Sequence, residues 1–428
     1  MEGLRAKARK LIRRFKGDAY AFGPGAIAEA GRLAGRLGRK FLLVQGRSSE
    51  ASGMLDGLKS SFDAAGLGVV GECPGAAPNS PVEDVERVRD VILSVRPQAV
   101  VGLGGGSLID ALKGSVTLAA LGGSCEDYYG VGKVTERMQA EGLALAPLFA
   151  VQTASGSAAH LTRYANLTDM RSMQKKLFID PALVPPAALF DYRATTTMSA
   201  EFTMVGAFDG ISHLAEVYFG TAEDDDRFEA VGEVALAGLE LIIASLPGAL
   251  KEPGCERLRE SIGLGTDLGG YAIMIGSTNG PHLNSFSLVD LMDHGKATAL
   301  LLPYYTCYFA PAVRGKLLRV GRLYAEYGYL DAVVDLDALP DDELGRAVAG
   351  GMARLAESVG FPTRLDQVEG FGDEHVRRML AAAKDPALAS KLQAMPVPMR
   401  PDQVDRYMGS VLEAARWGDF SLVVTPGD

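Results

Sequence analysis

Between residues 18 and 193 short apolar, often β-branched runs alternate with amphipathic stretches of helical length, and after about Thr197 that alternation stops. The runs at 41–44, 68–70, 99–103, 148–151 and 187–190 are continuously apolar. A strand that is apolar on both faces is buried on both faces, as when helices cover each side of a parallel sheet. Residues 27–37, 82–95 and 108–121 read as such helices. Beyond Thr197, residues 230–246, 258–274, 344–359 and 402–417 place apolar side chains three and four apart, the helical period. The expectation is an α/β domain with a parallel sheet over residues 1–193, followed by an all-helical domain over 194–428.

Gly104-Gly105-Gly106-Ser107 stands where the 99–103 run should hand over to a helix. Glycine lets backbone approach a ligand closely, and a helix N-terminus offers free N–H groups to phosphate. The pattern is neither GxGxxG nor GxxxxGK[ST], so neither common nucleotide fingerprint applies. Gln152-Thr153-Ala154-Ser155-Gly156-Ser157 repeats the arrangement after the 148–151 run. Open parallel sheets bind ligands at that end of their strands.

The chain has five histidines. Asp209 and His213 stand four apart, on one helix face, and can share an ion. An unbroken helix would hold His282 and His294 roughly 18 Å apart. Ligands of one metal lie about 3–4 Å apart, so the chain must turn between those two. Asp293 is placed to cap a new helix opening at His294-Gly295. These residues are expected to form a one-carboxylate, three-imidazole site for a divalent metal, with a position open for substrate.

The net charge of −10 argues against nucleic acid or an anionic membrane as partner. Cys73, Cys125, Cys255 and Cys307 show no CxxC spacing and read as reduced thiols of a cytoplasmic protein. No apolar run reaches transmembrane length. Residues 1–16 are rich in Arg and Lys and read as a solvated basic helix leading into the fold.

Taken together, Gly104-Gly105-Gly106-Ser107-x2-Asp110-x2-Lys113, Thr153-Ala154-Ser155-Gly156-Ser157, Asp209-x3-His213-x2-Glu216 and His282…His294-Gly295 resemble, in order, the iron-containing (group III) alcohol dehydrogenases. The likeness begins at Phe22-Gly23-Pro24-Gly25 and spans nearly the whole chain. It implies a dehydroquinate synthase-like architecture, a dimer, a divalent metal in the cleft and a nicotinamide cofactor. Asp209, His213, His282 and His294 would be the ligands of Fe2+, with Zn2+ as the alternative. Gly104, Gly105, Gly106 and Ser107 would hold the pyrophosphate, with Asp110, Thr153 and Ser157 along the cleft. The reaction implied is hydride exchange between the nicotinamide and a small aldehyde or alcohol on the metal. A glycerol dehydrogenase-like or dehydroquinate synthase-like enzyme is the rival on the same scaffold. A silent nucleotide- or metal-binding protein would require a missing ligand, and all four are present.

Two departures bear on the chemistry. Phe286 stands where many members carry a further histidine, leaving Asp290 or His160 to replace it. The expected lining from Asn284, Ser285 and Asp290 is polar and hints at a substrate with an acidic group. After the 41–44 run comes Gln45-Gly46-Arg47-Ser48-Ser49, where NAD-using relatives commonly have Asp in place of Gly46. A carboxylate there binds a ribose 2′-OH, whereas an Arg accommodates a 2′-phosphate. Gly46, Arg47 and Ser48 therefore favour NADP(H), with NAD(H) as the alternative.

Overall fold

The computed structural model describes residues 1–426 other than 48, 51 and 332. Its strands are β1 (Tyr20–Phe22), β2 (Lys40–Gln45), β3 (Gly68–Pro74), β4 (Ala99–Gly104), β5 (Gly130–Val131), β6 (Leu148–Gln152), β7 (Tyr164–Asp169), β8 (Gln174–Ile179) and β9 (Ala187–Phe190). Six of them form one sheet in the order β1-β9-β6-β4-β2-β3, every pair parallel. The alternation along β2 shows why its residues are uniformly apolar. Phe41 and Leu43 pack with Leu55, Leu58 and Phe62 on one face, and Leu42 and Val44 with Val88, Ile92 and Leu112 on the other.

The five strands expected from apolar runs are β2, β3, β4, β6 and β9. The short edge strand β1 and the smaller β5-β8-β7 sheet were not expected. The antiparallel β7–β8 hairpin buries one face, mainly against helix Gly106–Leu121, so its apolar residues alternate with polar ones instead of forming a run. From β2 the chain steps out to β3, then returns across β2 to β4 and continues to β6 and β9. The carboxyl ends of β2 and β4 thus flank the point where winding reverses, the usual crevice of such sheets. Gly46 N–H donates to the Leu103 carbonyl there at 2.8 Å.

From Ala200 onward the described residues contain helices and no strand. Helices Ala200–Gly220, Phe228–Lys251, Glu256–Ile275, His294–Phe309, Asp341–Ser358 and Val404–Trp417 share one core. Helix Phe228–Lys251 is long and apolar enough to cross a membrane by length and composition, contrary to the reading that no segment reaches that length. Scattered Glu and Gly residues break its apolar run, and it sits inside the helical core, 67% of its apolar window buried. Helix Glu2–Lys16 is not simply solvated. Arg5, Ala8, Leu11 and Ile12 fall on one face and dock on helices Phe228–Lys251 and Glu256–Ile275, with Arg9 paired to Glu260 at 2.8 Å. All four cysteines are free thiols.

The two halves meet closely where helix Ala200–Gly220 crosses the loop after β6. A Cβ on Gly206 would lie 2.2 Å from the Ser155 carbonyl oxygen. Backbone on both sides leaves no flexible side chain to yield. Gly206→Ala should therefore lower the unfolding free energy by about 1–3 kcal/mol, as overpacking does. Urea titration reads this as a lower midpoint, and an unchanged midpoint would show that the Ser155 loop moves aside freely.

Candidate active site

Three chain segments converge on the cleft between the halves. Helix Ala200–Gly220 carries Asp209 and His213 one turn apart, and the short helix Gly280–Ser285 carries His282. After a turn, helix His294–Phe309 begins at His294, with Asp293 at its cap position but without a side-chain cap bond. Gly295 is needed at this junction, because a Cβ there would lie 2.8 Å from the Asp209 Cβ.

The ligand atoms of Asp209, His282 and His294 all lie within 4.8 Å of one another. His213 completes the group: its Nε2 is 3.9 Å from Asp209 Oδ1, and its ring stacks on His282 at 4.7 Å between centroids. All four border one cavity of about 50 Å3. Asp209 Oδ1 and His282 Nε2 are buried without any hydrogen-bond partner. Native proteins rarely leave buried polar atoms so, and a divalent metal is the group this donor set fits.

Hydrogen bonds fix which imidazole nitrogen is free. His282 Nδ1 lies 2.5 Å from Glu216 Oε1, so Nδ1–H donates to the carboxylate and the Nε2 lone pair faces the site. Ser285 Oγ–H donates to the His282 carbonyl at 2.7 Å. That hydroxyl has no second proton, so at 2.8 Å it accepts from His294 Nδ1–H and frees His294 Nε2. Burial lowers His213 to about 4 and His282 to about 3, and takes His294 well below the ordinary histidine range. All three are neutral near pH 7, as metal binding requires. Glu216 is fully buried and pushed up to about 7 by that burial, against the pull of the Asn279 N–H, Lys391 and His213. Its Oε2 accepts from Asn279 N at 2.7 Å.

Some of the residues expected to hold the cofactor line a second opening beside the first. Gly106, Ser107, Asp110 and Ser157 border it together with Asp209 and His294. A Cβ on Gly106 would lie 2.3 Å from Ser157 Oγ, so glycine lets the two loops touch. Gly104 ends β4, and Gly105 stands at the N-cap of the helix that follows. Thr153 is buried, and its backbone N–H bonds the Gly104 carbonyl, tying the two loops. Asp110 Oδ2 accepts from Asn166 N and Nδ2 at 3.2 and 3.0 Å. Gln152 Oε1 and Ser155 Oγ are buried without partners beside this opening, which suits a polar ligand. Gly46 and the exposed Arg47 stand at the end of β2. Ser48 lies outside the described residues.

Neither proposed substitute for the histidine absent at position 286 reaches the metal ligands. His160 is locked in a buried cluster, its Nε2 2.9 Å from Tyr20 OH, with Asp267 accepting from Tyr20 and Tyr192. Asp290 pairs with Arg378 and His375. The Phe286 ring stacks on His294 at 5.7 Å. The polar lining expected from Asn284, Ser285 and Asp290 also fails. Asn284 turns into the core, accepting from Tyr305 OH at 2.5 Å, and Ser285 is spent on the two histidines. Polar lining comes instead from Asn166, Thr278 and Lys391, none of which had a sequence signal.

The raised Glu216 carboxyl sets the expected pH response. Its charged form, which accepts from His282 Nδ1–H, is present above about pH 7 and is lost as pH falls through that value. The imidazoles stay neutral over the same range. Metal affinity of the apoprotein should therefore drop between about pH 8 and pH 5. Glu216→Gln should bind metal ~10–100-fold more weakly with a flatter pH profile. Calorimetric metal titrations decide this, and an unchanged slope in the variant would clear Glu216 of the role.

Residues 18–192 match the family described as iron-containing alcohol dehydrogenase, and residues 203–409 match its C-terminal counterpart, described as the Fe-containing alcohol dehydrogenase family, C-terminal. The chain is 28% identical over 286 residues to alcohol dehydrogenase 4 of Saccharomyces cerevisiae (strain YJM789), covering 66% of this chain and 72% of that protein. It is 26% identical over 349 residues to 1,3-propanediol dehydrogenase of Citrobacter freundii, covering 80% and 85%. A crystal structure of 1,3-propanediol oxidoreductase superimposes with a TM-score of 0.79 at 24% identity, covering 93% of this chain and 98% of that one. With both halves matched in order around this cleft, the chain belongs to the iron-containing alcohol dehydrogenase family.

Proposed function

We propose that this member is a metal-dependent aldehyde reductase and alcohol dehydrogenase for small substrates that prefers NADP(H). The carrying observation is the group Asp209, His282 and His294, with His213 beside it, in which Asp209 Oδ1 and His282 Nε2 are buried without another partner. These four would hold Fe2+, with Zn2+ as the alternative, and the bound metal supplies Lewis acidity toward a carbonyl or alcohol oxygen. The nicotinamide supplies or accepts the hydride.

The chain's own residues do the rest. Glu216 and Ser285 hold His282 and His294 in the tautomers that present Nε2. Gly104, Gly105, Gly106 and Ser107 would receive the pyrophosphate at a helix N-terminus, with Asp110, Thr153 and Ser157 bordering or supporting the cleft. Leu177, Ile273 and Phe286 give the cavity an apolar side that keeps water from the reacting carbon. The reading includes a homodimer in the cytoplasm. The free thiols agree with a reducing compartment, and the dimer rests on the family likeness.

His282→Ala or His294→Ala should lose bound metal and turnover together while the protein stays folded. Metal content and rate on one preparation test this, and normal activity in a metal-depleted variant would remove the proposed chemistry.

The NADP(H) preference rests on Gly46 and the exposed Arg47 at the end of β2. A Cβ on Gly46 would meet only ordinary contacts at 3.6–3.7 Å, so Gly46→Asp fits sterically. That variant should shift kcat/KM toward NADH by repelling a 2′-phosphate. Arg47→Ala should weaken NADPH selectively, by about tenfold for one charge-assisted bond. A wild-type enzyme that uses NADH as well as NADPH would overturn the preference.

A further inference from the structure

We infer that the substrate of this site carries an anionic group, held by Lys391 while its carbonyl or hydroxyl faces the metal ligands; the inference rests on the reading of the site just proposed. Lys391 comes from the short helix Ala389–Gln393 and lines the cavity that Asp209, His213, His282 and His294 border. It is 4% exposed. Its ammonium donates to the Thr278 carbonyl at 3.2 Å and to Thr278 Oγ1 at 2.5 Å, and lies 5.8 Å from the centre of the Tyr164 ring. Two of its three N–H donors are thereby used, and no carboxylate is in direct ion-pair contact with it among the described residues; Glu216, already engaged by His282 and Asn279, acts on it from further away. A buried ammonium with no carboxylate in direct contact is costly, and an anionic ligand in the cavity supplies a close counter-charge.

A second, larger cavity of about 470 Å3 shares Lys391 and Leu177 with the first and leads outward between β8 and helix Asp373–Ala383. Lys133, Lys175, Lys176, Arg378 and Lys391 line it, against Glu126 and Asp385. Glu126 pairs with Lys176 at 2.9 Å and Asp290 with Arg378, which leaves Lys133, Lys175 and Lys391 outside those pairs. Lys175 is 5% exposed, makes no hydrogen bond or ion pair through its ammonium among the described residues, and borders both this vestibule and the cofactor cleft. On a chain of net charge −10, this passage is lined by more cationic than acidic side chains. Such a passage concentrates anions and speeds their entry, with a strong salt dependence.

The ammonium and the metal ligands border one small cavity, so few atoms separate the two ends of the substrate. The chemistry recognised is a short aldehyde or alcohol ending in a carboxylate, sulfonate or phosphonate. Lys391 is a specificity residue in this account and takes no part in hydride transfer.

The test compares kcat/KM for pairs matched in length: butanal against 4-oxobutanoate, and propanal against the two-carbon aldehydes bearing sulfonate or phosphonate. Wild-type metal-loaded enzyme should favour an anionic member by ~10–100-fold, the scale of one charge-assisted contact. The arms identify which anion is used. Lys391→Met should collapse that ratio, Lys391→Arg should retain most of it, and added salt should lower kcat/KM for the anionic member alone. Calorimetric binding of propionate and ethanesulfonate gives a readout independent of turnover, with affinity expected for wild type and lost in Lys391→Met. Equal use of the neutral and charged members, parallel loss of both in Lys391→Met, or no anion binding by wild type would overturn the inference while leaving the dehydrogenase reading intact. Failure of every aldehyde with every metal and nicotinamide would instead overturn that reading, and the binding arm would still decide the anion site.

Discussion

One stripe of helix Ala200–Gly220 determines how the rest of the molecule is placed. Gly206, Asp209, His213 and Glu216 follow one another at three, four and three residues, so they share a face. Gly206 meets the Ser155 carbonyl and sets how closely the helical half approaches the sheet. Asp209 and His213, one and two turns on, inherit that placement. Glu216, a turn further, holds His282 and Asn279 and so anchors the short helix that brings His282 to the group. A rotation of the helix by one residue would break the backbone contact, the metal group and the orienting carboxylate together.

The site combines heavy desolvation with selective hydrogen bonding. Burial, with nearby Lys175 and Lys391 adding to it, keeps the imidazoles neutral, and one bond to each of His282 and His294 selects the nitrogen left free. His213 has no such bond: its Nδ1 is buried without a partner, and stacking on His282 is what holds it. The same dry setting accounts for Glu216. Its raised carboxyl stays ionised only with help from the Asn279 N–H and the nearby cations, which ties the geometry of His282 to the protonation of a residue outside the ligand set.

Charge is distributed unevenly in a way the overall balance conceals. A net charge of −10 argues against polyanionic partners, yet the passage to the metal ligands is basic. Lys175 arrives from the β7–β8 hairpin and Lys391 from a short helix near the end of the chain. Neither has a carboxylate in direct ion-pair contact among the described residues, although Asp110, Asp209 and Asp293 act on Lys175, and Glu216 on Lys391, from further away.

Local patterns were enough for the fold class, because a strand buried on both faces must be apolar at every position and a helix must repeat its apolar residues at three and four. They also pointed to two pairs of candidate ligands and to the need for a turn between His282 and His294, since spacing and bond lengths are local quantities. The hairpin β7–β8 escaped because its second strand begins Gln174-Lys175-Lys176 and only one face is buried. The lining of the cavity escaped for a different reason. Asn284, Ser285 and Asp290 sit within the ligand-bearing segment but are turned to Tyr305, the histidines and Arg378 by packing between distant helices. Lys391 lies 97 residues beyond His294, and no periodicity links them; only the folded chain places its ammonium beside the metal ligands. Sequence by itself determined which residues could bind a metal and a nucleotide. Tertiary structure alone decided what else faces them, because side-chain direction across a cleft depends on contacts between segments that have no local relation.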